Sequence, residues 1–334
     1  MKTALVTGSA GFIGYYTSKR WLDEGWSVVG LDNFSDYYDP KLKRDRAAML
    51  SAYPGYTEVE GKVETPGLLM ELFETHQPTH VIHLAAQAGV RYSIENPRAY
   101  LESNIQGTFE LLEAARAHPP QHLLLASTSS AYGANEKLPY AETDKADTQM
   151  SFYAATKKAT EAMAHSYAHL YSLPVTMFRF FTVYGPWGRP DMAYFKFVRA
   201  MLKGDAIDVY NRGEMRRDFT YIDDLIEAVR RLADSVPEIG RPIAEIDSLS
   251  PVAPFRIVNI GKAKPDALGD FIAQIEQSLG IVARKNMLEM QAGDMTQTWS
   301  DTRLLEALTG FKASTGLDRG IPAFVAWYRS YYDL

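Results

Sequence analysis

The chain has 334 residues, of which 46% are hydrophobic and 23% charged, with a formal net charge of -6 and no cysteine. That length suits two domains and a sizeable core, and the acidic balance gives no electrostatic draw towards nucleic acid or an anionic membrane. Without cysteine, disulfides, thiolate nucleophiles and cysteine metal sites are all excluded.

Met1 runs straight into the first predicted strand, leaving no room for a signal peptide, and no apolar run reaches the length of a membrane span. A cytoplasmic location is therefore expected. Thr3-Ala4-Leu5-Val6 predicts a buried strand, and Gly8, Gly11 and Gly14 follow at once in Thr7-Gly-Ser-Ala-Gly-Phe-Ile-Gly. Apolar residues then recur at helical spacing to Gly25, and Ser27 to Leu31 predicts a second strand ending on Asp32. Such a turn brings the backbone at Gly11, Phe12 and Ile13 to a pyrophosphate at the helix N-terminus, while Gly14 lets the helix lie on the sheet. The Asp32 carboxylate suits a ribose and disfavours a 2′-phosphate, so the cofactor expected is NAD rather than NADP. Asn33 is its neighbour in the same pocket.

A tyrosine-rich loop runs from Asn33 to Asp39, and Lys41 to Leu50 predicts a basic helix. Lys43 and Arg46 can line an adenosine pocket, with Lys43 the candidate contact; for the segment as a whole a solvated face is the preferred reading. Leu68 to Thr75 predicts a helix. Val81 to Ala86 predicts a buried strand in which His83 is packed, and its small end, Leu84, Ala85 and Ala86, lets a cofactor lie against the backbone. Asn104 to Ala117 predicts a helix ended by Pro119-Pro120, and His122 to Ala126 the next strand. Strands alternating with helices imply an α/β fold, a Rossmann-like doubly wound parallel sheet over residues 1–180.

From about Phe180 the alternation loosens. Tyr194 to Lys203 predicts a helix, Ile207 to Tyr210 a short strand, and Asp218 to Asp224 an approach to a helix whose start an aspartate can cap. Asp223-Asp224 has no third ligand nearby, so capping is preferred over a metal site. Pro237 to Pro254 predicts a loop, Ile257 to Gly261 a strand, Leu268 to Leu279 a helix and Ile321 to Tyr328 part of a terminal helix. Residues 181–334 are expected to form mainly a smaller mixed α/β domain that binds substrate, with segments near 217–236 returning to the first.

The chemical centre is Ser127-Thr128-Ser129-Ser130 at a strand end, followed by Tyr153 and Lys157 on one helix face. An ammonium beside a phenol favours its ionised form. Tyr153 is the expected general base towards a sugar hydroxyl, and Thr128 the partner that shares that hydroxyl.

These stretches, with His83 to Ser93, Phe180 to Met192 and Arg217 to Asp224, resemble the extended short-chain dehydrogenase/reductase family, and within it the UDP-glucuronate 4-epimerases, nearly end to end. The run Phe-Phe-Thr-Val-Tyr-Gly-Pro-Trp-Gly-Arg-Pro is the most discriminating. The resemblance implies tightly held NAD, a UDP-sugar substrate, transient oxidation at C4 and a homodimer.

Oxidising C4 of a uronate makes a β-keto acid, so an epimerase must keep the carboxylate out of the geometry that releases carbon dioxide. Arg189 is the first candidate for that clamp and Arg91 the second, with Thr182 adding a hydrogen bond. Ser129 and Ser130 stand where related decarboxylases and dehydratases carry acids, which favours epimerisation alone.

The resemblance also implies Arg217 at the diphosphate and Asp294 at the uridine ribose. Gln291 and Lys62 depart from the family pattern, at the diphosphate and the adenine respectively. His165 and His169 are expected to pack at the dimer interface. The rival readings are a UDP-glucose/galactose 4-epimerase, a UDP-glucuronate decarboxylase and an NAD-sensing binding protein without catalysis.

Overall fold

The computed structural model describes residues 2–290 and 295–334. Its centre is a seven-stranded parallel sheet. Chain order runs β1 (Thr3–Thr7), α1 (Phe12–Asp23), β2 (Ser27–Asp32), α2 (Pro40–Ser51), β3 (Tyr56–Glu60), α3 (Leu68–His76) and β4 (His80–His83). Two single turns, α4 (Tyr92–Glu95) and α5 (Pro97–Tyr100), lead through a wide π turn at Leu101–Gln106 into α6 (Gly107–Ala117), β5 (His122–Thr128), α7 (Phe152–Tyr171) and β6 (Val175–Phe180).

Beyond these come β7 (Thr182–Tyr184), α8 (Ala193–Lys203), β8 (Ile207–Val209), β9 (Arg216–Arg217), β10 (Phe219–Tyr221), α9 (Ile222–Leu232) and β11 (Phe255–Ile260). The chain continues with β12 (Asp266–Ala267), α10 (Leu268–Leu279), β13 (Lys285–Met287), β14 (Gln297–Thr298), α11 (Arg303–Thr309) and α12 (Leu317–Tyr331).

The large sheet has the order β11-β6-β5-β4-β1-β2-β3. The order reverses between β1 and β4, the switch point where α/β sheets open a ligand crevice at the carboxyl ends of their strands. Both faces are covered, as a parallel sheet requires. On one side Phe12, Tyr15, Trp21 and Leu22 of α1 interlock with Ile222, Leu225, Ile226 and Val229 of α9. On the other, Leu69 and Phe73 of α3 meet Leu111 and Leu112 of α6 and Ala164 and Ala168 of α7.

A third core joins α8, α10 and α12 through Phe195, Val198, Phe271, Ile275, Ile321 and Phe324. The large sheet also takes in β11 by parallel pairing with β6, a contribution from beyond the stretch near 217–236.

Several elements depart from the sequence reading. β4 ends at His83, and Leu84–Ala86 leave it as a loop. The helix expected from Asn104 starts as the π turn, and there the Asn104 side-chain amide accepts from Gln87 N–H at 2.8 Å and donates to Thr156 at 3.0 Å. β3, with its polar sequence Tyr-Thr-Glu-Val-Glu on a half-exposed edge, has no apolar signal to find. In β6 the charge of Arg179 interrupts an otherwise apolar run, yet that side chain is buried in a bidentate pair with Glu161 at 2.9 and 2.8 Å.

The aspartate cap on α9 is absent, since Tyr221 is the N-cap residue and gives no side-chain hydrogen bond. Asp224 instead accepts from the Ser314 and Thr315 N–H groups at 2.9 and 2.7 Å, tying α9 to the approach of α12. Lys43 and Arg46 are buried, so α2 is no solvated face at those positions.

Candidate active site

The turn after β1 is held by contacts that only glycine allows. Gly8 has φ +71°, and a Cβ on Gly14 would stand 1.9 Å from the Gly8 carbonyl oxygen. Helix α1 therefore begins against the sheet. Its N-cap is Gly11, with neither a side-chain cap nor an acid in the first turn, so the N–H groups at Phe12, Ile13 and Gly14 are available to an anion. Asp32 braces the same turn, accepting from Ala10 N–H at 3.1 Å and Phe34 N–H at 2.8 Å.

A cleft opens over this turn. Gly8, Gly11, Phe12, Ile13 and Gly14 form its floor, with Asp32, Asn33 and Lys43 at one end and Leu84, Ala85 and Ala86 along its side. Lys43 Nζ donates to Ser35 Oγ at 2.8 Å and sits over the Tyr38 ring. An uncapped helix start, a carboxylate at the end of β2 and a wall of small residues fit a dinucleotide with a bare ribose.

At the far end of the same cleft stand Thr128, Tyr153, Lys157 and Arg189. β5 ends on Thr128, and α7 starts at Phe152 with Ser151 as its cap, the Ser151 hydroxyl accepting from Ala154 N–H at 3.1 Å. Burial raises the Tyr153 phenol above its ordinary value, against the pull of a hydrogen bond with Thr128 and of the Arg189 cation. This differs from the expectation that Lys157 would be the cation acting on the phenol. Burial also brings the Lys157 ammonium down to about 8, with Glu161 opposing the fall.

Glu161 lies one turn beyond Lys157. Burial works against its charge, but the hydrogen bonds and charge of Arg179 bring its pKa down to about 2; Ser127 Oγ also donates to it, at 2.7 Å. His83 is neutral, its pKa brought down to about 3 by burial, and it shares a hydrogen bond with Thr7 at 2.8 Å. It is a packed histidine beside Lys157.

The substrate candidates divide. Arg189 lines the cleft, whereas Ser129 and Ser130 line a second, smaller cavity with Tyr140 and Thr298. Thr298 pairs with Arg217 across β14 and β9, so that cavity borders the strand carrying Arg217. Thr182 lies on β7, where its N–H donates to Asp218 O at 3.0 Å. Arg91 is exposed and stacks over Tyr210 at 4.8 Å, outside the main cleft. Asp294 and Gln291 lie outside the described residues. Lys62 is exposed between the cleft residues Gly61 and Val63.

His165 and His169 reach the chain's own loop, at Ser250 Oγ and Val252 O, each at 2.8 Å. Their hydrogen bonds are thus made within the chain. Among the described residues no group of three or more His, Asp or Glu could hold a metal ion, and no helix is long and apolar enough to cross a membrane.

Three side chains of the site escaped the sequence reading. Tyr37 lines the cleft from the tyrosine-rich loop. Asp191 pairs with Arg189, and Glu161 anchors the charges behind Lys157. The available signals were position i+4 from Lys157 for Glu161, and for Asp191 its place two residues after Arg189, within the Phe180 to Met192 stretch.

A hydroxyl-bearing strand end and a Tyr-x-x-x-Lys helix facing an NAD-shaped floor define a dinucleotide-dependent enzyme acting on an alcohol carbon. The chain belongs to the NAD dependent epimerase/dehydratase family, whose pattern matches residues 4–245. It is 53% identical over 331 residues to a probable UDP-glucuronate 4-epimerase of Rhizobium meliloti (strain 1021), covering 98% of this chain and 97% of that protein. It is 46% identical over 335 residues to UDP-glucuronate 4-epimerase 1 of Arabidopsis thaliana, covering 99% of this chain and 77% of the relative. The structure superposes on the UDP-glucuronic acid 4-epimerase of Bacillus cereus, in complex with UDP-glucuronic acid and NAD, with a TM-score of 0.88 at 29% identity. That match covers 99% of this chain and 100% of the other.

Proposed function

We propose that this protein is an NAD-dependent UDP-glucuronate 4-epimerase that interconverts UDP-glucuronate and UDP-galacturonate. The observation carrying this reading is that one cleft holds the nucleotide-binding turn, the Thr128–Tyr153–Lys157 group and the Arg189 guanidinium together. Gly8 to Gly14 hold the cofactor pyrophosphate and Asp32 its ribose. When bound, NAD supplies the acceptor for the C4 hydrogen and returns it to the sugar, so none is consumed.

Tyr153 takes the proton of the C4 hydroxyl, and Thr128 shares that hydroxyl through its own hydrogen bond. Lys157 holds positive charge behind the phenol, and Glu161 keeps that charge in place. Arg189 holds the uronate carboxylate. Ser129 and Ser130, although they line the smaller cavity, are assigned with Thr182 to the sugar, and Arg217 is assigned to the diphosphate. Arg91 is assigned to the rim. A homodimer is part of the proposal, supported by apolar side chains left exposed on and beside α6 and α7, including Phe109, Phe152, Leu170 and Tyr171.

The test is to incubate the purified protein with UDP-glucuronate, adding no cofactor, and follow the sugar by NMR and the product by mass. A galacto-configured product of unchanged mass is expected. Release of carbon dioxide would move the assignment to a decarboxylase, and conversion of UDP-glucose alone to a neutral-sugar epimerase. Arg189→Ala is expected to lose uronate turnover by about 100-fold while retaining NAD; unchanged kinetics would remove Arg189 from the carboxylate.

A further inference from the structure

Arg189 enters the cleft already engaged. Its Nε–H donates to Asp191 Oδ1 at 3.0 Å and its Nη2–H to Oδ2 at 2.6 Å. The two side chains are only 25% and 23% exposed. From across the cleft the Tyr37 hydroxyl donates to Asp191 Oδ2 at 3.4 Å, so Asp191 is held from both sides.

The loop beneath is fixed as well. Arg46 Nη2 donates to Trp187 O at 2.5 Å and to Gly188 O at 3.2 Å, while its Nη1 donates to Ala10 O at 3.0 Å in the glycine turn. Tyr16 adds a hydrogen bond to Pro186 O at 3.1 Å. Backbone and guanidinium plane are therefore both set before any substrate arrives.

A guanidinium has two bidentate edges, one side-on through Nε and Nη2 and one end-on through Nη1 and Nη2. Asp191 takes the side-on edge. What it leaves is the end-on edge, with the orientation of the plane already decided. A free arginine carries about 2 kcal/mol of rotamer entropy, and this pairing has removed much of that freedom in advance.

Building on the proposed function, we infer that Asp191 is a positioning residue for uronate specificity: it pins Arg189 side-on, so that the end-on edge meets the substrate carboxylate in one orientation. The consequence is chemical as well as steric. If the carboxylate turns perpendicular to the C4 ketone, the bond from C5 to the carboxyl carbon breaks and its electron pair enters the carbonyl as an enolate. C5 then takes a proton from water and carbon dioxide leaves. A pinned clamp prevents that turn, and a loose one permits it.

The test uses the full chain with its NAD, as wild type and as Asp191→Asn, with two probes: UDP-glucuronate, and UDP, which has no uronate carboxylate. Asparagine keeps the size of the side chain but places an N–H donor against the guanidinium. The expected result is an increase of about tenfold or more in Kd and KM for UDP-glucuronate, UDP binding unchanged, and release of carbon dioxide with a 4-keto pentose, which becomes the pentose when the hydride taken from C4 is returned.

Unchanged affinity with clean epimerisation would overturn the inference. Tighter UDP-glucuronate binding would overturn it too, because Asp191 would then be a competitor for Arg189. A parallel loss of both probes would reduce Asp191 to a structural role. Asp191→Ala, read by calorimetry, should show the same split between probes if the asparagine variant is poorly folded. Failure of the wild type to bind UDP-glucuronate would overturn the proposed function and this inference together, whereas the ratio of variant to wild type tests Asp191 alone.

Discussion

The proposed base, the Tyr153 phenol, is half-buried in the cleft, and desolvation by itself would keep it protonated at neutral pH. What opposes that is the hydrogen bond with Thr128 and then the Arg189 cation. Tyr153→Phe removes the proposed base and leaves the packing. Turnover should fall about 100- to 10,000-fold, with NAD content by absorbance unchanged; retained activity would refute the role.

A second buried group gives a pH signature. Burial raises the Glu142 carboxyl to about 7, although Asn259 N–H donates to it at 2.8 Å. Its folded pKa is above the unfolded value, so the folded state holds a proton that the unfolded state has released between about pH 4.5 and 7. Stability tied to this group is fully present below pH 4.5 and is lost as pH rises through 7. Glu142→Gln should therefore stabilise the protein at pH 8, by on the order of 2 to 3 kcal/mol, and have little effect at pH 4.5. Urea unfolding at the two pH values distinguishes this from a uniform effect, which would contradict the assignment.

At the scale of elements, the site is built from ends. The carboxyl ends of β1, β2, β4 and β5 and the start of α1 surround one crevice because parallel strands all point their ends the same way. α1 supplies its N–H groups only if it can begin against the Gly8 carbonyl. Gly14→Ala forces that backbone apart, at a cost of about 1–3 kcal/mol, and should lower the NAD retained on purification. Normal NAD content would show that the turn can yield. α7 brings Tyr153 to Thr128 while its buried Glu161 fixes Arg179 on β6, so one helix carries both the proposed base and the anchored ion pair.

At the scale of the molecule, the loop carrying Arg189 leads into α8 of the third core, and Arg46 ties that loop to the glycine turn through Trp187 O, Gly188 O and Ala10 O. The apolar side chains exposed around α6 and α7 are 46% exposed at Phe109 and 63% at Leu170. Full burial of such a side chain is worth about 1.5–3 kcal/mol, and covering the exposed part of each recovers roughly half of that, a reason for a second copy to cover them. Leu170→Glu should shift the protein from dimer to monomer in sedimentation. A wild type that sediments as a monomer would remove the dimer from the proposal.

The order strand, glycine turn, helix, strand, acid was legible because it is local. Glycine tolerance, apolar periodicity and a carboxylate at a strand end act within a few residues of themselves, and the same holds for Tyr153 and Lys157, four apart on one helix. The parallel sheet followed from that alternation. What only the tertiary structure decided were pairings over long separations. β11 joins β6, and Asp224 ties down residues 314–315 instead of capping its own helix. Arg46 is buried against carbonyls from two loops, and Asp191 is held across the cleft by Tyr37. A charged residue reads as surface in a sequence because its partner lies elsewhere in the chain. Burying Arg46, Arg179 or Glu161 is tolerable only where the fold brings that partner to it.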